Sequence, residues 1–499
     1  MDWNPSDGEF RSKTVQGIGW SLSSQVVNQA IAMIAVVVLA RLLSPREFGL
    51  LAMVTVVTVF AELFCDMGFS AALIQKQDIT QEHLSSVFWF NLGVGVSLTA
   101  IFVGAARLLA DFYGEPVLAP LTMILSANFL IGSLSIVQRT TLVKSMEFRR
   151  LAIVDIVATG LSGSIAVAMA FSGAGVWSLV GQAIVRSGTS TVLLWVLGGW
   201  RPSLIFRWRD AGELLSFSLN VFGNKILNYW VRNLDYLLIG RYIGTQPLGA
   251  YRNSYQIMLF PLISVSGVIS RVMFPALSMI QNDIQRVRGA FLRSTRAIAL
   301  VTFPMMTGLV VTVEPFVMTV LGPKWVQMIP ILRVFCLVGL MQSIGTLNAN
   351  LFLSQGRADL QFRLGLALKA SSMLGIIIGL RWGVLGVAVG YSITSVMSSY
   401  PGFYFAGKLV GLTYWRLWRE LSGVLACALA MAAAVWGISV LLPTRLPVQV
   451  LFASQVAGGL LVYAALVHFL GLGAYRDVRQ FVSENIRHLR ASRLEGETP

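Results

Sequence analysis

The sequence has 499 residues, of which 56 % are hydrophobic and only 12 % are charged, with a mean hydropathy of +0.71. Soluble domains carry about 25 % charged residues, so a chain this apolar has too little polar surface to cover a soluble core. The net charge of +15 does not indicate nucleic-acid binding, because the basic residues occupy short gaps between apolar runs rather than one basic face. Composition therefore predicts an all-α polytopic membrane protein with no nucleic-acid partner.

A helix needs about 20 apolar residues to cross the hydrocarbon core of a membrane. Fourteen runs in the sequence meet this requirement and predict fourteen transmembrane helices. Their approximate spans are 15–40, 48–74, 84–110, 117–142, 151–172, 176–198, 214–240, 249–277, 297–321, 326–353, 360–380, 384–407, 420–442 and 447–471. With the N-terminus in the cytoplasm, about 24 loop arginines and lysines lie inside and about 8 outside, which is the positive-inside distribution. Both termini are therefore predicted to be cytoplasmic.

An internal repeat divides the predicted helices into two halves. The segment 40–49 (ARLLSPREFG) matches 240–249 (GRYIGTQPLG) at an offset of 200 residues, and the same offset places Asn28 on Asn228. Both copies run in the same direction, which predicts two parallel six-helix bundles related by a pseudo-twofold axis along the membrane normal, with the substrate site between them. The predicted organisation is a cytoplasmic N-terminal segment 1–14, an N-terminal bundle 15–200, a cytoplasmic linker 201–213, a C-terminal bundle 214–411, two further transmembrane helices 412–471 and a cytoplasmic tail 472–499.

Predicted helix seven carries the richest set of polar residues in the apolar part of the chain. Asn224, Lys225, Asn228, Arg232 and Asp235 recur at spacings of three and four, which places them on one helix face. Such a face is costly in contact with lipid, so it predicts a polar, net-cationic cavity wall, and the planar donor group of its arginine suits a phosphate ligand. The alternative is an internal pair between Arg232 and Asp235 that only holds helices together.

Other ionisable or polar residues inside predicted helices extend this set. Gln25 and Asn28 occupy comparable positions in helix one, and Arg186 and Arg333 are basic residues within helices six and ten. Glu62 and Asp66 lie one turn apart in helix two, so they could bind a coupling proton or sodium ion, or be partnered by a neighbouring arginine.

Several local strings, taken in order, resemble the polysaccharide transporters of the MOP flippase superfamily, in particular the Wzx-type, colanic-acid-exporter-like flippases. These strings are Arg41–Gly49, Gly68–Gln75, Glu147–Ala152, Gly175–Val180, Arg232–Arg241 and Phe274–Ser278. The resemblance implies export of an undecaprenyl-diphosphate-linked oligosaccharide across the bacterial inner membrane by alternating access. It further implies the lipid-linked oligosaccharide and membrane lipids as partners, a polysaccharide polymerase and chain-length machinery as possible partners, and no cofactor beyond a coupling proton or sodium ion.

Alternative functions remain open at this point. Related families on the same fold flip the peptidoglycan lipid precursor or export drugs in exchange for ions. A membrane polysaccharide polymerase or ligase would need an extracytoplasmic catalytic loop, and no gap between the apolar runs is long enough for one. The three histidines, His83, His468 and His488, are isolated, and no catalytic or metal-binding motif is present. The sequence therefore predicts a transporter without enzymatic activity or a metal site.

Overall fold

The computed structural model describes residues 7–441, 447–473, 475 and 476. All regular secondary structure in these ranges is helical, which confirms the predicted all-α class. The predicted cytoplasmic tail 472–499 lies almost entirely outside the described residues, as do the first six residues of the predicted segment 1–14.

The helices divide into two groups by the compact unit to which they belong, because the chain forms two such units, Met1–Arg252 and Asn253–Pro499. The first unit holds α1 (Asp7–Leu42), α2 (Pro45–Asp66), α3 (Phe69–Gln75), α4 (Gln81–Tyr113), α5 (Leu118–Lys144), α6 (Phe148–Phe171), α7 (Val176–Leu197), α8 (Trp208–Tyr242) and the start of α9 (Thr245–Pro261). The second holds the end of α9, α10 (Gly267–Met279), α11 (Ile284–Phe316), α12 (Met328–Ser354), α13 (Ala358–Gly379), α14 (Gly383–Leu409), α15 (Tyr414–Leu441) and α16 (Val448–Phe469).

The helices account for the fourteen predicted crossings. Twelve segments of the described chain are long and apolar enough to span a membrane. One of them, Ala358–Leu409, is 52 residues long and contains two helices, α13 and α14, packed against each other. The 35-residue α8 is also long enough to cross, but its polar face keeps it outside the twelve. Within the described residues, the predicted count of fourteen helices is therefore confirmed.

The first unit extends past the linker 201–213 that the repeat places between the two bundles. It does so because α8 packs against α2, α3 and α4. The linker itself is tied to α4: Gln81 Nε2 donates to the carbonyl oxygen of Arg201 at 2.7 Å, and Trp89 Nε1 donates to the carbonyl oxygen of Ser203 at 2.8 Å. The packing thus divides the chain after Arg252, whereas the sequence repeat predicts a division at the linker 201–213. The boundary between the two repeat copies stays a prediction.

The helix predicted over 48–74 is broken into α2 and α3. Met67 and Gly68 both have positive φ, 41° and 85°, and separate the two helices. A Cβ atom on Gly68 would lie 2.5 Å from the carbonyl oxygen of Ser218 in α8, so glycine permits both the backbone conformation and the close approach. This break positions the C-terminal end of α2 against α8.

The two copies of the repeated loop contact each other within the first unit. A Cβ on Gly49 would lie 1.8 Å from the carbonyl oxygen of Thr245, and a Cβ on Gly249 would lie 1.8 Å from that of Pro45. Thr245 and Gly249 stand 200 residues after Pro45 and Gly49, so the contact is reciprocal, as a twofold relation between equivalent segments requires. The first turns of α2 and α9 therefore meet backbone to backbone, as only glycine allows.

The second unit has its own core around α11. This helix packs against α12, α15 and α16, so the two helices beyond the repeat, α15 and α16, belong to the same packed unit. Phe291, Phe303, Leu347, Phe403 and Leu421 are all buried in this core.

Candidate functional site

The polar face predicted on α8 is present in the structure. Asn224, Asn228 and Arg232 follow one another at intervals of four residues and are all exposed, and the Nδ2 group of Asn228 donates to the carbonyl oxygen of Asn224 at 2.8 Å. The side chain of Lys225, next to Asn224, is 40 % exposed. The polar side chains predicted to share a face of α8 are therefore exposed in the structure. This face is called the α8 stripe below and consists of Asn224, Lys225, Asn228 and Arg232.

Lys225 forms an ion pair with Asp66, the last residue of α2. Its Nζ atom lies 2.7 Å from Asp66 Oδ2, and the side chain of Asp66 is only 18 % exposed. The other carboxylate oxygen of Asp66 accepts hydrogen bonds from the backbone N–H and the hydroxyl of Ser70, at 2.9 and 2.5 Å. One cation of the stripe is thus neutralised by a carboxylate that was itself a candidate for ion coupling.

Aromatic side chains cover the contact between α2 and α8 on which this ion pair lies. Phe60 packs on Trp230 with ring centroids 4.8 Å apart, and Phe64 packs on Phe222 at 4.9 Å. The hydroxyl of Tyr229 donates to the carbonyl oxygen of Val56 at 2.5 Å. The ion pair itself is only partly buried, so the cost of removing one partner should lie between that of a buried pair and that of a surface pair.

Arg232 has a different environment from Lys225. No described carboxylate lies within 4.0 Å of its guanidinium group, and the side chain is exposed. Asp235 does not pair with it: this carboxylate is buried, 7 % exposed, and accepts hydrogen bonds from the Tyr251 hydroxyl and the Tyr236 backbone N–H, each at 2.9 Å. The alternative of an Arg232–Asp235 pair is therefore not what the structure contains, and Asp235 faces the packed interior instead of the stripe.

The remaining predicted residues lie on other helices. Glu62 is exposed on α2, and no described cation forms a salt bridge with it. Gln25 and Asn28 lie on α1, which packs against α6, and their side-chain oxygens are buried without a hydrogen-bond partner among the described residues. Arg186 is exposed on α7, and Arg333 is exposed on α12 in the second unit. The structure thus brings α2 and α8 residues together and leaves the others on separate elements.

Sequence reasoning missed Arg252. The site residues predicted from the sequence do not include Arg252, which is the eighth residue of α9. Its Nη1 atom is buried, and no residue in the described ranges accepts a hydrogen bond from it. A signal was available, because the 200-residue offset aligns Arg252 with Ala52, a buried alanine of α2. The second copy of the repeat thus carries a cation, Arg252, at the position where the first copy has the buried Ala52.

A charged cluster outside the apolar segments joins the loop after α3 to the start of α8. Lys76 Nζ donates to Glu213 Oε2 at 2.6 Å and lies 2.8 Å from His83 Nε2. The hydrogen bond from Lys76, followed by that from His83, holds the pKa of the Glu213 carboxyl below its ordinary value. This cluster ties the N-terminal part of α8 to the loop after α3. In the described chain, no three His, Cys, Asp or Glu residues are grouped to hold a metal ion.

The architecture and the ionisable residues within apolar helices define a multi-span membrane protein with polar groups at membrane depth. The family model described as "Polysaccharide biosynthesis protein" matches residues 38–330, and the chain belongs to this family. It is 30 % identical over 91 % of its length to the teichuronic acid biosynthesis protein TuaB of Bacillus subtilis, of which the match covers 95 %. It is 28 % identical over 81 % of its length to the lipopolysaccharide biosynthesis protein WzxC of Escherichia coli, of which 83 % is covered.

Solved structures share the fold at low sequence identity. The lipid II flippase MurJ in an inward closed conformation superposes with a TM-score of 0.75 and 16 % identity, covering 92 % of this chain and 99 % of that one. An inward-facing multidrug resistance MATE transporter of the MOP superfamily superposes with a TM-score of 0.62 and 14 % identity, covering 77 % and 94 %. The MOP fold and the resemblance to polysaccharide transporters are thereby confirmed.

Proposed function

We propose that the chain is a flippase that carries an undecaprenyl-diphosphate-linked oligosaccharide across the bacterial inner membrane by alternating access. The observation that supports this most directly is Arg232, an exposed guanidinium in a membrane-spanning helix without a described carboxylate partner. A charge at the centre of a membrane helix costs about 2.5–3.5 kcal/mol on insertion scales, so an unneutralised arginine at depth indicates a water-filled path or an anionic ligand.

The chemistry of the α8 stripe suits a diphosphate headgroup. The planar guanidinium of Arg232 can donate two parallel hydrogen bonds to one phosphate group. Asn228, one turn away, adds a neutral amide on the same face, and Lys225 lies almost two turns from Arg232. Lys225 is held by Asp66, so a phosphate that reaches it must compete with that carboxylate.

The coupling ion, where transport uses one, is assigned to Glu62 in this proposal. Asp66 is already engaged by Lys225 and by both donors of Ser70. Glu62 lies one turn before Asp66 on the same helix, is exposed, and has no salt-bridge partner among the described residues. A carboxylate in that state can take up a proton or a sodium ion, whereas Asp66 would first have to release Lys225.

Removal of the gene tests the proposal directly. We expect the lipid-linked oligosaccharide to accumulate in the cytoplasmic leaflet and the surface polysaccharide to disappear, with recovery when the wild-type gene is returned. A polysaccharide polymerase and its chain-length machinery are the expected consumers of the translocated lipid. Accumulation of the peptidoglycan lipid precursor instead would assign the chain to the other flippase class, and unchanged lipid-linked glycans would refute the proposal.

The membrane orientation is part of the same proposal, with both termini in the cytoplasm. A reporter fused after Arg209 should then report an inside position, and one fused after Gly244 an outside position, because α8 crosses between them. The reverse pattern at both sites would refute this orientation, because the α8 stripe would then be inverted relative to the leaflet in which the substrate is made.

A further inference from the structure

The second unit contains a cluster of aromatic and amide side chains on three helices. Tyr255 of α9, Phe335 and Gln342 of α12, and Tyr391 of α14 compose it. The rings contact one another edge to face: the centroids of Tyr255 and Phe335 are 5.5 Å apart, those of Tyr255 and Tyr391 6.0 Å, and those of Phe335 and Tyr391 6.1 Å. The cluster is therefore one connected group of side chains rather than three separate contacts.

Polar atoms of this cluster are linked by hydrogen bonds. Gln342 Nε2 donates to the Tyr391 hydroxyl at 2.8 Å, and the hydroxyls of Tyr391 and Tyr255 are 3.3 Å apart. Phe335 is buried beneath them, whereas Tyr255, Gln342 and Tyr391 are only half-buried. The three polar side chains are thus partly exposed, and the buried ring of Phe335 packs against both tyrosines.

The cluster lies deep within a membrane-spanning segment, where polar side chains are uncommon. Gln342 lies near the middle of the 27-residue α12, far from either end of the helix. Amide and hydroxyl groups at such depth lose favourable free energy when they face hydrocarbon, so polar side chains there usually line a cavity.

The chemistry of these side chains selects a particular ligand class. The three polar residues are neutral, so they supply neither the cations that a phosphate needs nor the carboxylate that a cationic drug needs. They combine aromatic surface with hydroxyl and carboxamide groups that both donate and accept hydrogen bonds. A pyranose ring presents the complementary set, an apolar C–H face and an edge of hydroxyl groups. We propose that Tyr255, Gln342 and Tyr391 form a saccharide-binding subsite that contacts the sugar part of the lipid-linked oligosaccharide.

This inference rests on the proposed function, and a comparison of two probes separates them. The first probe is the lipid-linked oligosaccharide extracted from cells that lack the gene, and the second is undecaprenyl diphosphate, which has no sugar. Both are titrated against the purified full-length protein in detergent. The wild-type protein should bind the glycosylated probe more tightly than the sugarless one.

Two variants remove hydrogen-bonding groups and keep the side-chain volume, Tyr391→Phe and Gln342→Met. Each should weaken binding of the glycosylated probe by about five-fold for each hydrogen bond lost to the sugar, and leave binding of undecaprenyl diphosphate unchanged. Tyr404→Phe is the matched control, because Tyr404 is an exposed tyrosine on the same helix and lies outside the cluster. It should alter neither affinity.

The outcomes distinguish the two claims. If the cluster only joins α9, α12 and α14, the variants will lower the thermal unfolding midpoint and weaken both probes equally, which overturns the subsite. Equal wild-type affinity for the two probes also overturns it and leaves the flippase proposal standing. Failure of the wild-type protein to bind either probe overturns both.

Discussion

Replacing Arg232 by alanine should separate binding from stability. The side chain is exposed and has no described carboxylate partner, so its removal breaks no ion pair among the residues that the structure describes. The free energy of unfolding should therefore change by no more than about 0.5 kcal/mol, as for other exposed substitutions. Protein abundance in the membrane should also be unchanged, because removal of a charge eases insertion.

Binding should respond strongly to the same change. A hydrogen bond to a charged group contributes about 1.5–3 kcal/mol, so loss of the contact between Arg232 and a phosphate should weaken affinity by about 10- to 150-fold. Arg232→Lys should retain part of this affinity, since the charge remains but the planar donor fork is lost. Titration of undecaprenyl diphosphate into the purified protein measures both effects, and polysaccharide export in cells measures their consequence.

Lys225→Ala provides the internal comparison, because this residue lies on the same stripe but is paired. Its removal leaves Asp66, whose side chain is 18 % exposed, with only the donors of Ser70. Breaking a fully buried pair costs about 3–5 kcal/mol, and a surface pair is worth at most about 1 kcal/mol. Since Lys225 is 40 % exposed, we expect a loss of about 1–3 kcal/mol, which the double variant Asp66→Asn with Lys225→Met should partly restore. Equal destabilisation by Arg232→Ala and Lys225→Ala would refute this distinction, and wild-type lipid binding by Arg232→Ala would refute the anion site.

The remaining predictions concern packing, pH and a buried charge. Gly49→Ala should destabilise the protein by at least about 1–3 kcal/mol, because the new Cβ would lie 1.8 Å from a backbone oxygen, whereas Gly104→Ala meets no atom within 4 Å and should be neutral or stabilising in chemical unfolding. The lowered pKa of Glu213 means that its contribution to stability is complete above its ordinary pKa of 4.5 and is lost as the pH falls through its folded pKa; Lys76→Met should flatten the pH dependence of unfolding in this acid range. Arg252→Met should leave stability unchanged or raise it, since an apolar side chain of similar length replaces a half-buried cation whose buried Nη1 atom has no hydrogen-bond acceptor among the described residues, and a marked fall in the unfolding midpoint would show a structural partner.

Much of the helix arrangement was predictable because the membrane imposes its own length scale on the sequence. Each apolar run had to supply about 20 residues, and the described chain contains helices at all fourteen predicted places. The polar face of α8 was also predictable, since spacings of three and four residues specify a face without knowledge of the neighbouring helices. The break at Met67 and Gly68 was not predicted, because a single glycine within the predicted span 48–74 does not by itself mark the end of a helix, and the steric reason for this glycine is a carbonyl group of a distant helix.

The partners of the site residues could not be predicted for the same reason. Asp66 and Lys225 are 159 residues apart, and periodicity within one helix does not say which other helix faces it. Arg232 and Asp235 are three residues apart on α8, and this local spacing was the basis for the alternative in which they pair with each other. In the structure, Asp235 is buried, and its carboxylate accepts a hydrogen bond from the hydroxyl of Tyr251 in α9.

The two cations of the α8 stripe, Arg232 and Lys225, are therefore expected to have different roles in the proposed transport. Arg232 and Lys225 are seven residues apart, which is about 10 Å along a helix. A diphosphate arriving at Arg232 displaces no described carboxylate, whereas at Lys225 it must displace the carboxylate of Asp66, which accepts two hydrogen bonds from Ser70. Arg232 should thus set the affinity for the lipid headgroup. Lys225 should exchange Asp66 for phosphate only when the headgroup is fully engaged, and that exchange would loosen the ionic contact between α2 and α8. Because the Asp66 side chain is only 18 % exposed, water is a poorer substitute for Lys225 than it is at the protein surface, so the anionic headgroup should favour the loosened state by compensating Lys225.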